Sequence, residues 1–322
     1  MKRIEKFTFF IFLLIIFLLP ANLFAWGSAT HAYISKQLCQ DNSDSLSIYG
    51  SVVPDFFNQE RNSAYFNFIT KITHYNLDKI KKESNKRNLN KFALGFISHN
   101  EKWGSDLTAH KKARTNFRNG YASGKGGILA PFIEAELENL FITQGISFPF
   151  FLANSIASEI AHPLIEVAVD LQIKIHEDEF IGSDIKSSAI YRTAYVPDIL
   201  ISAYANDLSK KYKISRTEAS DIIRNAENSF CESMIQYGEI LNQEYDSAIQ
   251  QLAEQGTEMI NYYLNSSYAK GSFVTPEIMK RFIELAIEKT KDDYFKEISE
   301  TIKYLKKRSE VKKLCKKISK TK

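Results

Sequence analysis

Cysteine is scarce in this chain: Cys39, Cys231 and Cys315 are the 3 present in 322 residues. An odd count at such wide spacing excludes a disulfide-stapled small scaffold, and at most one pair can close within the chain. Proline and glycine are also few, 7 and 13 residues, and alternating strand patterns are rare. The absence of frequent turn signals and of period-two runs points to an all-α fold. Neither sign of charge dominates. The formal net charge is +4, too near balance to argue for a nucleic-acid partner. Long apolar runs are missing beyond the first twenty residues, and no later stretch approaches the ~18 residues of a membrane span.

The exception at the start is informative. Lys2, Arg3 and Lys6 precede an apolar run from Phe7 to Leu19, then Pro20 and the small residue Ala25. This is the pattern of a secretory signal peptide over residues 1–25. Cleavage after Ala25 predicts a soluble product, secreted or periplasmic, that begins at Trp26 with the net charge reduced to +2 by loss of three bases and Glu5. A free α-amino group titrates at about 7.7–8.0 and can give up its proton to a metal. Trp26 and His31, in Trp26-Gly-Ser-Ala-Thr-His31, could therefore chelate one ion through the terminal amine, the carbonyl and the imidazole.

Periodic segments predict helices over Thr30–Leu38, Phe66–Ile80 and the apolar stretch Leu89–Trp103, with a loop at the glycine-rich Gly120–Gly127. Two further helices are expected between Ile128 and His176, parted near Gly145. Ser215 and Glu218 form a capping box ahead of a long helical pattern through Leu252. Thr275 and Pro276 read as the opening of the last helix. Ten basic residues against the single acid Glu310 crowd the tail Lys303–Lys322. That tail reads as a solvated, frayed helix end or as a contact for anionic lipid head groups, at roughly 1 kcal/mol per basic residue near such a surface.

The chain has 6 histidines, and five of them lie near an acid or the mature terminus. Asp106 and His110 are four apart, as are His162 and Glu166, a spacing that puts both side chains on one helix face. Asp55 follows Pro54 in a turn-like setting, His74 precedes Tyr75, and His99 ends a buried apolar run. His176 sits in a charged stretch and reads as surface. Each pair alone is an ordinary helix-surface pairing; together they are nitrogen and carboxylate donors recurring in order without thiolate. That donor set suits zinc in a hydrolytic rather than a structural site.

In this order the residues resemble the zinc-dependent phospholipase C family, which shares its plan with the single-strand-specific nucleases and 3′-nucleotidases. The resemblance runs from Trp26 to about Asp170 and implies an all-α domain over residues 26–270, followed by a C-terminal helix with a basic tail over 271–322. It implies three zinc sites: Asp55, His74, His99 and Asp106; Trp26 with His31, bridged by Asp106; and His110, His162 and Glu166. His99 and Asp106 are seven apart, a rise of about 10 Å in straight helix, so sharing one ion needs a bend, for which Gly104 is suited. Glu101 is the alternative ligand. Phe56, directly after Asp55, is expected to stack on a head group.

The implied activity is hydrolysis of a phosphodiester, with phospholipid as the expected substrate, two or three Zn2+ ions as cofactors and Asp55 as proton acceptor. Glu166 as the final acid favours the phospholipase branch, whereas the short Trp26–His31 spacing favours the nucleases. For the latter, Tyr65, Phe66, Phe148, Phe150 and Tyr191 are candidate stacking platforms. A non-catalytic secreted protein that keeps the metal for stability is the reading from another class.

Overall fold

Side-chain caps open some of the helices. Ser215 Oγ accepts the amide of Glu218 at 3.0 Å, as the capping box requires, and Asp44 Oδ1 takes the Leu46 amide at 2.9 Å. A computed structural model describes residues 26–39, 44–143, 150–267 and 274–320. Among these residues the protein is all-α, with fifteen α-helices and no strand. The signal-peptide segment 1–25 and the break near Gly145 lie outside the described residues.

Six short helices come first: α1 (Ser28–Leu38), α2 (Ser45–Val52), α3 (Phe66–Tyr75), α4 (Leu77–Lys86), α5 (Asn90–His99) and α6 (Ser105–His110). The long pair α7 (Tyr121–Thr143) and α8 (Phe150–Gln172) pack along each other, and α8 runs into a π turn at Ile173–Glu177. Then come α9 (Ile181–Ile190), α10 (Tyr195–Tyr212), α11 (Arg216–Leu241), α12 (Tyr245–Ser267), α13 (Pro276–Thr290), α14 (Tyr294–Lys307) and α15 (Ser309–Ile318). No described helix is long and apolar enough to cross a membrane.

Several boundaries differ from expectation. The helix expected over Phe66–Ile80 is two, α3 and α4, parted at Asn76. The pattern after Ser215 divides after Leu241. The glycine-rich Gly120–Gly127 is not a loop, since Tyr121 opens α7 and lies wholly buried. Its hydroxyl donates to Asp293 at 2.6 Å. Tertiary packing there outweighs the low helix propensity of glycine. Thr275 and Pro276 do open a helix, but α14 and α15 follow it. The basic tail is not frayed: α15 buries Val311, Leu314 and Ile318 and turns Lys312, Lys313 and Lys316 outward. Cys315 on α15 is joined to Cys39 by a disulfide, and Cys231 is free and buried.

One helix contact determines where the site forms. Gly50 on α2 and Gly95 on α5 meet at backbone distance: a Cβ at Gly50 would strike the Phe92 carbonyl, and one at Gly95 would strike that of Ser47. With no side chains between them, the two helices close up. The end of α5, and with it His99, then lies against the backbone of α2.

Candidate metal centre

The ends of four helices and one turn converge on the first group of side chains. His31 comes from α1, Asp55 from the 3-10 turn Val53–Asp55, His74 from the last turn of α3, His99 from the end of α5 and Asp106 from the first turn of α6. Asp106 is at the centre. Its Oδ1 lies 3.2 Å from His31 Nε2, and its Oδ2 lies 3.0 Å from His99 Nε2 and 3.3 Å from His74 Nε2. Asp55 lies 3.3 Å from His74 Nε2 through Oδ1 and 3.5 Å from His99 Nε2 through Oδ2. Beside this group stands a second, formed by His110 at the end of α6 with His162 and Glu166 on α8. His162 Nε2 is 2.8 Å from Glu166 Oε1, and the His110 and His162 rings are 5.2 Å apart.

The outer nitrogens decide what the inner ones offer. His74 Nδ1 donates to the Thr70 carbonyl at 2.7 Å and His99 Nδ1 to the Ser51 carbonyl at 2.8 Å. A carbonyl only accepts, so both protons sit on Nδ1. Ser105 Oγ donates to the Ser98 carbonyl at 3.1 Å and accepts from His31 Nδ1 at 2.9 Å. His110 Nδ1 donates to Glu101. Wherever these four rings are neutral, Nε2 is therefore a lone pair aimed inward, and the partners on Nδ1 are of the kind that orient a metal-bound histidine. His74 Nε2 and His99 Nε2 are 3.2 Å apart, acceptor facing acceptor. The inner atoms His31 Nε2, His110 Nε2, Asp55 Oδ1, Glu166 Oε1 and both Asp106 oxygens are buried without a hydrogen-bond partner. Such an assembly calls for cations at its centre.

The electrostatics agree. Burial pushes the carboxyls of Asp106 and Glu166 well above the usual range, with Asp55 and Asp170 adding to the effect at Glu166. Burial likewise lowers His31 and His99 and so keeps them neutral. At His74 burial also acts to lower, but the adjacent carboxylates of Asp55 and Asp106 outweigh it and the net shift is upward. At Asp55 burial acts to raise, and the neighbouring histidines reverse it, holding the carboxyl below its ordinary value. Buried carboxylates and imidazoles packed this closely are a donor set that a bound cation would stabilise.

His31, Asp55 and His99 form one group that could hold a metal ion, His74, His99 and Asp106 a second, and His110, His162 and Glu166 a third. All eight of the expected side-chain ligands are thus brought together. Asp106 reaches both sides of the first cluster, although the reason is not Gly104 alone. The chain reverses at Asn100, whose Oδ1 accepts the amides of Lys102 at 2.8 Å and Trp103 at 2.9 Å. Gly104 then serves as N-cap of α6. Glu101 does not replace Asp106. It orients His110 and also pairs with Lys111 at 2.8 Å; burial works to raise its carboxyl, but those partners hold it down to about 2. Asp106 and His110, four apart on α6, serve neighbouring groups rather than one ion.

Trp26 is buried, its indole Nε1 donating to Thr108 at 3.0 Å and its ring 5.3 Å from that of Tyr121. Phe56 requires a correction. It is 0% exposed and packs edge-on to Phe57, because the turn that projects Asp55 folds the next side chain into the core; it offers no face to a head group. Among the candidate platforms, Phe66 is buried, Tyr65 packs against Tyr212, and Tyr191 is exposed. Phe148 and the Phe150 side chain lie outside the described residues. His176 is at the surface, as expected.

Three contributors escaped the sequence reading. Asn100 makes the reversal described above. Arg61 is half-buried within electrostatic reach of Glu166, Glu159 and Asp55, and burial lowers its guanidinium. Asp170, four residues beyond Glu166 on the same face of α8, accepts four hydrogen bonds; its spacing was a usable signal. Comparison of the chain with family models, curated proteins and solved structures returns no significant match.

Proposed function

We propose that the protein is a secreted zinc-dependent phosphoric ester hydrolase of the phospholipase C type, holding two or three Zn2+ ions. The observation that carries this reading is the convergence of inward lone pairs from His31, His74, His99 and His110 on buried carboxylates, with no thiolate among the donors. Imidazole and carboxylate suit zinc. In the fuller assignment Asp55, His74, His99 and Asp106 hold one ion, Asp106 and His31 with the Trp26 main chain a second, and His110, His162 and Glu166 a third. Bound zinc supplies Lewis acidity, lowering the pKa of water toward ~7 and offsetting phosphate charge.

Asp55 is the proton acceptor. Its side chain is 16% exposed where that of Asp106 is 0%, so water reaches it. His162, 15% exposed, is also open to solvent. Arg61 lies on hand to orient an anionic ester. The outward lysines of α15 would attract an anionic lipid surface. A nuclease is the second reading, favoured by the short Trp26–His31 spacing and by Arg61 near the centre.

Elemental analysis of the mature protein is expected to give two or three zinc ions per chain, with one lost in His162→Ala. Turnover on phospholipid vesicles above that on single-stranded DNA and on a generic phosphodiester is the expected order. The reverse order selects the nuclease, and bound zinc with no turnover selects a structural role for the metal. A folded protein free of metal overturns the reading.

A further inference from the structure

Asp170 lies outside every ligand group, yet few carboxylates among the described residues are so fully engaged. It is 0% exposed. Its Oδ2 accepts the Ala29 amide at 2.9 Å and the Tyr237 hydroxyl at 2.7 Å; its Oδ1 accepts the Thr30 amide at 2.8 Å and the Thr30 hydroxyl at 2.6 Å. The first turn of α1 has no side-chain cap of its own, since Gly27 stands at its N-cap. The cap comes from α8, 141 residues away. The fit is close: a Cβ on Gly27 would fall on the Asp170 carboxylate. On α8, His162, Glu166 and Asp170 succeed one another at intervals of four, so one helix face carries two ligands of one group and the seat of another.

We propose that Asp170 is a positioning residue for the metal site at the start of α1. It clamps the first turn of α1 onto α8, which sets His31 in register with Asp106. It also links that site to the His162–Glu166 group one and two turns away. A plain helix cap would stabilise α1 through two orphan amides and the helix dipole and leave metal affinity untouched. The proposal rests on the metal-binding reading above and adds to it a division of labour along α8.

The test is zinc affinity and stoichiometry of folded, mature protein, with folding checked by circular dichroism and site occupancy followed by cobalt absorption. Asp170→Asn keeps the size but turns an N–H donor toward amides that need acceptors. It is expected to weaken one ion by about 10–100-fold, the usual effect of a lost outer-shell partner, while the other ions stay. Gly27→Ala approaches from the opposite side, keeping every ligand residue but displacing the helix start; it is expected to lose the same ion. If Asp170→Asn fails to fold, Gly27→Ala decides the matter. Tyr237→Phe, which leaves both amides capped, is expected to keep the full complement. Wild-type stoichiometry and affinity in folded Asp170→Asn, or in Gly27→Ala, overturn the positioning role alone. Zinc-free wild-type protein overturns the metal reading and this inference with it.

Discussion

A histidine that gives its Nδ1 proton to a main-chain carbonyl has only a lone pair left for whatever lies on its other side. His74 and His99 both do this, to Thr70 and Ser51. On the proposed hydrolytic reading those lone pairs are engaged by metal, so the proton acceptor is a carboxylate that solvent can reach, which separates Asp55 from Asp106. Asp55→Asn keeps the shape and one coordinating oxygen but cannot accept the proton. Turnover is expected to fall by about 10²–10⁴, as for a lost general base, while zinc content is retained. Initial rates on a generic phosphodiester, with metal measured on the same sample, check this. Near-normal turnover would remove Asp55 from the role of base.

At the scale of helices, the site depends on how tightly α2 and α5 approach. Gly95→Ala would set a methyl group against Ser47 and the Ser51 amide, pushing α5 away and pulling His99 off the Ser51 carbonyl. A destabilisation of about 1–3 kcal/mol is expected for such overpacking, seen in denaturant unfolding, together with weaker zinc binding. Unchanged stability and metal content would show that the helices can part without disturbing the site. The same contact explains what could be read in advance. His162 and Glu166 share one helix, so their relation follows from four residues of α-helical geometry and nothing else. Asp106 and His99 are joined through the Asn100 reversal, a turn whose direction no periodicity encodes. Asp170 had the legible spacing, but its partners are amides of another helix. Phe56 carried the right chemistry for a head group and was folded inward by the turn that presents Asp55. Gly120–Gly127 carried loop composition, and the burial of Tyr121 overrode it.

The whole molecule closes on the centre from its C-terminal end. α14 packs on α1 and α6, and α15 packs on α5. Thr301 on α14 donates at 3.1 Å to the same Thr108 hydroxyl that receives the Trp26 indole. Glu297 takes the amides of Arg114 and Thr115 just after α6, at 2.6 and 2.7 Å. The Cys39–Cys315 disulfide fastens this strap across 276 residues of sequence. Closing so long a loop in the unfolded chain removes much of its entropy, and a stabilisation of about 2–4 kcal/mol is typical. Cys39→Ser with Cys315→Ser is therefore expected to lower Tm by on the order of 3–6 °C. Zinc content at 25 °C should stay at the wild-type level, because neither cysteine is a ligand and the buried faces of α14 and α15 remain. Calorimetry of the oxidised wild type beside the double variant, each with its metal measured, checks both halves. An unchanged Tm would show that packing alone holds the strap, whereas loss of zinc with the disulfide would make the strap part of the metal site.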